Sequence, residues 1–460
     1  MPYQRIILRT GLFVLVLLWG LSGYLALQAR QADIPTGTIA YFKNQTELHL
    51  VNSNGSNDRV IWTNPRPMSP FFSATIDWRP DGGELAFQSG HELPCSTYSD
   101  DIWAIRPDGS HLRRVTNGPD CATLASRATG SVSVTILNSN LSYSTYLLYV
   151  EGASEARPFT LSPGFQQTIT IDNVADFGPG VGQVVTVYSG DNARSWLYGA
   201  TADVQPGGTV QVGGVFELDA GVPRFTAEQP AFRHDGAQLV FLLGGAPYLI
   251  ADAPPERDQG TGLTFDNQVP LSYVDFSPVS NQLLGIFDDG ISTHFLRIDA
   301  GNGQVAEFFD DDSGIVQGIS WLPDGSGFVY SITGNFGANA NLFRYDITSG
   351  VKTQITAVED GVAAVDPSVS PDGGWVAFTR LVNDPNAAPE VWTVAMDGSQ
   401  AQLLASEAAF PAWGPDMSAQ PPTATPAPPE PTPTSPGPTA TPLPPSGESH
   451  AIYLPYVERH

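Results

Sequence analysis

Short segments in which apolar and polar residues alternate recur along this chain, each followed by a tight turn. Residues 76–87 read IDWRPDGGELAF, which is an alternating run, a Pro-Asp-Gly turn and a second apolar run. Alternation with a period of two is typical of half-buried β-strands, and an Asp-Gly pair tolerates the positive φ of a tight turn. The pattern therefore predicts a β-hairpin at this point.

Echoes of this hairpin follow at a nearly constant spacing. Aligned on the residue two before the proline position, the copies fall at Trp78, Phe232, Phe276, Trp321, Val369 and Trp413. The last four intervals are 44, 45, 48 and 44 residues. A fixed period of about 40–50 residues is typical of solenoids and propellers rather than of one ordinary core.

A second, weaker hairpin follows four of these segments, with Asp-Gly, Asn-Gly or Ser-Gly at its turn. Two hairpins in each period make a four-stranded sheet, which is one propeller blade. Residues 38–62 hold the later strands of a blade without its opening strand, and residues 410–416 hold an opening strand with nothing after it. Joining them completes a sixth blade and leaves no open sheet edge at the seam.

The repeats resemble the WD40-like Pro-Asp repeats of the TolB-like six-bladed propeller family, over roughly residues 37–117 and 226–416. The motif residues build turns, so the resemblance implies a fold and a structural role rather than an activity. The turn positions singled out in this way are Pro80, Asp81, Pro323, Asp324, Pro371 and Asp372.

The interval from Trp78 to Phe232 is 154 residues, which leaves a surplus between residues 123 and 225. This stretch alternates around a Leu-Ser-Pro-Gly turn and has no helical pattern, which indicates a small β-sandwich. It resembles the Ig-like modules inserted in secreted bacterial proteins. The alternative is two degenerate blades in an eight-bladed ring. The predicted fold is thus all-β, a six-bladed β-propeller closed by N- and C-terminal strands with an inserted small β-sandwich.

The ends of the chain indicate export. Arg5 and Arg9 precede an apolar run over residues 11–27, so residues 1–34 read as a signal peptide or a membrane anchor. The positive flank stays inside in either case, which places the propeller outside the cytoplasm, in the cell envelope or secreted.

The predicted organisation is a propeller over residues 37–122 and 226–418, interrupted by the insert at 123–225. Residues 419–447 form a Pro/Thr-rich linker, and residues 448–460 form an apolar tail that is either an attachment tag or a disordered end.

Charge and cysteine content narrow the function further. The chain has 21 basic and 47 acidic residues, a formal net charge of −26, and such a surface repels nucleic acid. Cys95 and Cys121 are the two cysteines, and their loops are expected on the same propeller face. A disulfide between them is predicted for an oxidising compartment, with two free thiols as the alternative.

Catalytic motifs are missing from the sequence. It contains no Gly-x-Ser-x-Gly elbow and no His-Glu-x-x-His pair. Asp310, Asp311 and Asp312 are expected in a loop, where adjacent carboxylates can bind calcium or form a solvated charge cluster. No other cofactor is indicated.

These patterns predict a non-catalytic, envelope-associated binding module, and the family resemblance implies a protein or peptide as its partner. N-terminal membrane association is compatible with this function. The alternative function is a carbohydrate-active enzyme or a calcium-dependent lectin that uses the same loop face.

Overall fold

The computed structural model describes residues 35–65, 75–92, 96, 98–178, 182–190, 194–200, 203–223, 226–254, 260–265, 269–333, 339–384 and 386–417. The predicted N-terminal segment, the linker 419–447 and the tail 448–460 lie outside these residues. Within the described part of the chain, no helix is long and apolar enough to cross a membrane.

The strands before the insert form the first group. Strands β1 to β3 span Thr38–Lys43, Glu47–Asn52 and Arg59–Thr63, and strands β4 to β7 span Ile76–Trp78, Leu85–Ser89, Asp101–Ile105 and Arg113–Arg114.

The insert begins with a short helix, α1 (Cys121–Ala125). Strands β8 to β16 follow at Thr129–Asn138, Thr145–Val150, Arg157–Thr160, Gln166–Ala175, Val184–Ser189, Arg194–Ala200, Thr209–Gln211, Phe216–Leu218 and Val222–Pro223.

After the insert, the described residues form seventeen more strands. Strands β17 to β24 span Ala227–Phe232, Gln238–Leu243, Ala246–Ala251, Thr261–Gly262, Tyr273–Phe276, Gln282–Asp288, Thr293–Asp299 and Val305–Asp311. Strands β25 to β33 span Ile315–Trp321, Gly327–Thr333, Ala340–Asp346, Val351–Gln354, Val362–Val369, Trp375–Val382, Glu390–Ala395, Gln402–Ser406 and Ala408–Gly414.

Six antiparallel four-stranded units form the blades of a propeller. Blade 1 is β4–β7, blade 2 is β17–β20 and blade 3 is β21–β24. Blade 4 is β25–β28 and blade 5 is β29–β32, and a single parallel bridge between Ala340 and Ala363 joins these two sheets. Blade 6 has the order β3-β2-β1-β33, so the last strand of the described chain is the innermost strand of the sheet that the first three strands build. The predicted all-β fold and its closure are confirmed.

The hydrophobic cores lie between consecutive blades and follow the ring completely around. Trp78 and Phe87 of blade 1 pack with Leu48 of blade 6, while Tyr41 of blade 6 packs with Trp375 of blade 5. Equivalent clusters join blades 1 and 2, 2 and 3, 3 and 4, and 4 and 5. Because each blade is covered on both faces, its second strand is apolar almost throughout, as in QLVFLL of β18 and GFVYSIT of β26.

The insert consists of two stacked sheets rather than two blades. One sheet has the order β10-β9-β12-β13-β16, and the other has β11-β8-β14 with β15 also paired to β8. The two sheets share one core, which includes Val134, Leu148, Ile171, Val187 and Phe216. A shared core between face-to-face sheets is the arrangement of a β-sandwich, so the alternative of an eight-bladed ring is wrong.

Candidate functional site

A tunnel at the axis of the ring is lined by one strand from every blade. Its walls come from β4, β17, β21, β25, β29 and β33, which are the six opening strands of the repeats. Its cavity volume is about 110 Å³, well below the roughly 300–1,000 Å³ of ordinary small-molecule pockets. The tunnel therefore has room for a side chain or a few waters.

Three half-buried aspartates of this wall line the tunnel: Asp77, Asp275 and Asp366. Burial raises the pKa of Asp77 to about 7 and that of Asp366 to about 7. Burial also raises the pKa of Asp275 well above its ordinary value, and the charge of Asp77 adds to this effect. The surroundings therefore favour the neutral form of all three carboxyl groups.

Two of these aspartates connect neighbouring blades. An oxygen of Asp77 accepts a hydrogen bond from the backbone N–H of Phe232 in the next blade, at 2.6 Å, and Asp275 accepts one from Trp321 N–H at 3.3 Å. The donor residues Phe232 and Trp321 occupy the repeat positions of their blades. The acceptor residues directly precede the repeat positions of the preceding blades.

Serines do the same at the next two interfaces. Ser320 Oγ accepts from Val369 N–H at 3.1 Å, and Ser368 Oγ accepts from Trp413 N–H at 2.7 Å. Asp77 and Asp275 therefore belong to a series of contacts that fixes one blade to the next, which is a structural use of a half-buried acid.

Asp366 faces the tunnel because of an irregularity in its strand. It lies at a register shift of the β29–β30 pair and has a φ of 51°, and Gln229 and Phe410 occupy the same place in their blades with a φ of 58°. A bulge of this kind leaves one residue out of the strand ladder and redirects its side chain. Asp366 interacts with the Thr379 hydroxyl, which also accepts a hydrogen bond from Phe410 N–H at 2.9 Å.

The two faces of the ring differ in the connections they carry. The turn face holds the first-to-second and third-to-fourth strand connections, which include the Pro-Asp-Gly turns. The loop face holds the second-to-third connections and the links from one blade to the next, from one of which the insert departs.

The predicted turn residues lie on the turn face in the same local geometry. The aspartate of each turn accepts a hydrogen bond from the backbone N–H two residues later. The distances are 2.8 Å for Asp81 to Gly83, 2.9 Å for Asp324 to Ser326 and 2.9 Å for Asp372 to Gly374. Pro80, Pro323 and Pro371 each precede these aspartates, and this side-chain-to-backbone bond is what Asp contributes to such turns.

The predicted calcium residues do not converge. Asp310 and Asp311 are the last residues of β24 rather than loop residues, and alternation along the strand gives their side chains separate partners. Asp310 is 2.9 Å from His294 Nδ1, whereas Asp311 accepts hydrogen bonds from Lys352 Nζ at 2.6 Å and Tyr330 Oη at 2.8 Å. Asp312 is exposed.

Although burial opposes it, the hydrogen bonds from Lys352, Ser313 and Tyr330 lower the pKa of Asp311. Asp311 thus serves as one half of an ion pair between blades 3 and 4. Among the described residues, no group of three His, Cys, Asp or Glu side chains is placed to hold a metal ion.

The predicted disulfide lies partly outside the described residues. Cys121, at the start of α1, is disulfide-bonded, while Cys95 falls in a part of the chain that the structure does not describe. The pairing of the two stays a prediction.

The insert is held against the loop face of blade 1 by buried polar contacts. The Tyr188 hydroxyl of β12 donates to the Ser96 carbonyl of the propeller at 2.9 Å, and both residues are buried. Arg114 lies over the Trp103 ring at 5.2 Å and pairs with Glu92. Glu92 in turn accepts from the N–H of Cys121 at 3.0 Å.

These contacts tie the root of the insert to a propeller strand. Breaking them would leave polar groups buried and unpaired, so these contacts oppose separation of the insert from this face.

The sequence interpretation missed the tunnel aspartates, although a signal was present. Asp77 and Asp275 each precede the aromatic repeat position, and alternation directs the residue before a core aromatic to the opposite side of the strand. In a propeller the first strand of every blade has the tunnel on that side. The three aspartates are 91 or more residues apart, so only the closed ring brings them together.

Comparison with known proteins gives a likeness at the level of architecture. No family model matches the chain, and no curated protein matches it. Among solved structures, TolB from Acinetobacter baumannii is 14% identical with a TM-score of 0.39, covering 85% of this chain and 70% of that one. The nidogen/laminin complex structure is 8% identical with a TM-score of 0.46, covering 82% of this chain and 98% of that one.

A puromycin hydrolase mutant complexed with a ligand is 16% identical with a TM-score of 0.37, covering 82% of this chain and 54% of that one. No activity or partner follows from similarity at this level. The propeller architecture itself follows from the sheet order of this chain.

Proposed function

We propose that this protein is an exported, envelope-associated propeller that acts as a non-catalytic protein- or peptide-binding module through its loop face. The observation that carries the proposal is a set of apolar side chains exposed on that face. Ile291 is 83% exposed, Ile315 is 53% exposed and Leu381 is 41% exposed, on blades 3, 4 and 5. The turn face also has exposed apolar side chains, such as Val279 and Val351, but those of the loop face lie on three consecutive blades. Exposed apolar side chains that lie on neighbouring elements are typical of surfaces that bind other proteins.

The tunnel supports recognition rather than turnover. Its volume of about 110 Å³ is small for a substrate and adequate for one inserted side chain. In a catalytic site, Asp77 and Asp275 would be the acid and the base. Both instead accept hydrogen bonds that join neighbouring blades. A partner that binds at the loop face can place a side chain in the tunnel mouth without any chemistry there.

The position of the chain ends supports attachment on the opposite face. Ser53 Oγ donates to the Pro35 carbonyl at 2.6 Å in the β2–β3 turn, and Thr38 pairs with Gly414 at the end of β33. Both the start and the end of the described ring are therefore on the turn face. An N-terminal anchor would hold this face toward the membrane, and the loop face would point away from it.

The experiment is crosslinking in the native envelope followed by mass spectrometry, with two variants matched for exposure within blade 4. Ile315 on the loop face is 53% exposed, and Val351 on the turn face is 54% exposed. We expect crosslinks to a partner on the loop face in the wild-type protein, a several-fold lower yield for Ile315→Ser and an unchanged yield for Val351→Ser. Crosslinks confined to the turn face, or equal losses in both variants, would overturn the proposal.

A further inference from the structure

Four connections on the loop face of blades 3 to 5 form one surface of unusual composition, which we call the acidic–apolar surface. It comprises residues 288–294, 310–315, 357–362, and 380–384 with 386–390. These stretches contain nine Asp or Glu residues and one arginine. They also hold the exposed side chains of Ile291, Ile315, Leu381 and Val382.

The apolar side chains of this surface are held in place by the backbone around them. Asp289 Oδ1 accepts hydrogen bonds from the N–H groups of Ile291 and Ser292, both at 2.8 Å, and this fixes the hairpin tip that carries Ile291. The Thr293 hydroxyl at its base donates to the Gly314 carbonyl at 3.1 Å, immediately before Ile315. The hairpin of blade 3 and the opening strand of blade 4 are thereby linked.

A second pair of contacts fixes the other half of the surface. Asn383 N–H donates to the Gly361 carbonyl at 2.7 Å, and Asn339 bridges to Asp360 at 2.9 Å. Leu381 and Val382 belong to β30 itself, paired with Ala363 and Val362. A surface already ordered before binding loses little conformational entropy when a partner arrives, which favours recognition.

The charges around these apolar groups are mostly negative, although Lys352 pairs with Asp311 at 2.6 Å. Arg380 is neutralised locally, since it pairs with Glu359 and Glu390 at 3.2 Å each. Asp312, Asp360 and Asp384 are exposed between and beside the apolar residues. A concentration of carboxylates attracts a positively charged partner and repels an acidic one, and it rejects nucleic acid for the same reason.

We propose that the acidic–apolar surface binds a basic, amphipathic segment of a partner protein. Lysine or arginine side chains of the segment would lie against the carboxylates, while its apolar side chains cover Ile291, Ile315 and Leu381. This inference rests on the proposed function and adds to it the location of the site and the chemistry of the partner.

The test uses the purified full-length chain and three short fluorescent peptides, which alternate lysine with leucine, lysine with serine, and glutamate with leucine. Binding is measured by fluorescence anisotropy over a range of salt concentrations. We expect the lysine–leucine peptide to bind most tightly and the glutamate–leucine peptide not to bind. Affinity should fall as salt rises, because part of the attraction is between exposed charges.

Matched variants locate the site. The double variant Ile291→Ser/Ile315→Ser is expected to weaken the lysine–leucine peptide about tenfold. The double variant Val279→Ser/Val351→Ser removes two exposed apolar groups from the turn face, 56% and 54% exposed, and is expected to leave binding unchanged.

A triple variant that lacks three negative charges tests whether electrostatic attraction contributes to binding. Asp312→Asn/Asp360→Asn/Asp384→Asn is expected to weaken binding and to reduce its dependence on salt. Glu155→Gln/Glu217→Gln/Asp219→Asn removes three charges from the insert instead and serves as the control. Binding that is absent, or that is equally tight in the wild type and the loop-face variants, would overturn the inference.

The failure of this inference differs from a failure of the proposed function. If native-envelope crosslinks map to the insert or to blades 1 and 2 on the loop face, the propeller is still a binding module, and the acidic–apolar surface is not its site. If they map to the turn face, both proposals fall.

Discussion

Aspartate side chains have two different roles in this chain, and the surroundings of each carboxyl group determine whether its charged or its neutral form is favoured. On the turn face, a hydrogen bond from Ser326 is the main cause that lowers the pKa of Asp324, and one from Ser110 does the same for Asp108. Inside the ring, burial raises the pKa of Asp77 and Asp366 to about 7 each. The exposed carboxylates are stabilised as anions, whereas the tunnel carboxyls are stabilised as neutral acids.

The raised pKa of Asp366 predicts how stability depends on pH. Its ordinary value is 3.8, and its value in the folded protein is about 7. The folded state therefore binds more protons than the unfolded state between these values. The contribution of Asp366 to stability is complete below about pH 4 and is lost as the pH rises through about 7, by an amount of the order of a few kcal/mol.

Urea unfolding of the wild type and Asp366→Asn at a series of pH values checks this expectation. The decline in the free energy of unfolding between about pH 4 and 7 should be shallower in Asp366→Asn. Asp324→Asn is the control, because the lowered pKa of Asp324 confines its effect to more acidic pH. Equal slopes in wild type and Asp366→Asn would show that Asp366 does not titrate in this range.

Two glycines at equivalent hairpins allow the cost of backbone strain to be measured apart from the cost of disturbing the contact between blades. Gly398 and Gly55 occupy the third-to-fourth strand turns of blades 5 and 6, and both have a φ of 82°. A Cβ at Gly398 would lie 2.4 Å from the Ile355 carbonyl oxygen of blade 4, whereas one at Gly55 would meet nothing within 4 Å.

Gly55→Ala should lower the free energy of unfolding by about 1 kcal/mol, the usual penalty of positive φ. Gly398→Ala should lower it by roughly 2–4 kcal/mol, because the backbone of the neighbouring blade must also move. Chemical denaturation of both variants measures the difference. Similar losses would mean that the hairpins of neighbouring blades can separate easily.

At the level of elements, β33 has a position unlike that of any other strand. It pairs with β1 from Thr38↔Gly414 to Lys43↔Ala408, and its Trp413 donates through Nε1 to the Thr36 carbonyl at 2.9 Å. It also receives the side chain of Trp78 from blade 1, whose Nε1 donates to the Ala412 carbonyl at 3.0 Å. One strand thus supports the seam on both sides.

Truncation on either side of β33 tests this arrangement. A chain that ends at Met417 keeps the strand and should unfold with the same midpoint temperature as the full chain. A chain that ends at Glu407 leaves the edge of β1 unpaired and the core between blades 5 and 6 uncovered. It should lose its cooperative thermal transition and aggregate. Calorimetry and light scattering compare the two. A cooperative transition in the shorter chain would show that the ring does not depend on its seam.

At the scale of the whole molecule, the number and spacing of the repeats were enough to predict the ring of blades. Trp78, Trp321 and Trp413 recur because every blade has an apolar side chain at the same contact with its neighbour, and such a requirement is visible in a linear sequence. The stacked sheets of the insert were predicted from alternation in the same way.

What could not be predicted are the contacts that arise when distant segments meet. The tunnel groups Asp77, Asp275 and Asp366 come from blades 1, 3 and 5, and the docking of Tyr188 on Ser96 crosses 92 residues. The opposite directions of Asp310 and Asp311 depend on where β24 ends, which is the least certain part of a strand read from sequence. In each case the deciding information is a distance in the closed ring.

The closure by β33 has a consequence for the chain while it is being synthesised. The ribosome makes this strand after almost all of the other described residues, so a growing chain has five complete blades and one that lacks its inner strand. Until that strand is made, β1 lacks its pairing partner and the ring is open at its seam. The seam is thus the last part of the described ring to be made, and the shape of the ring becomes fixed only when this strand is in place.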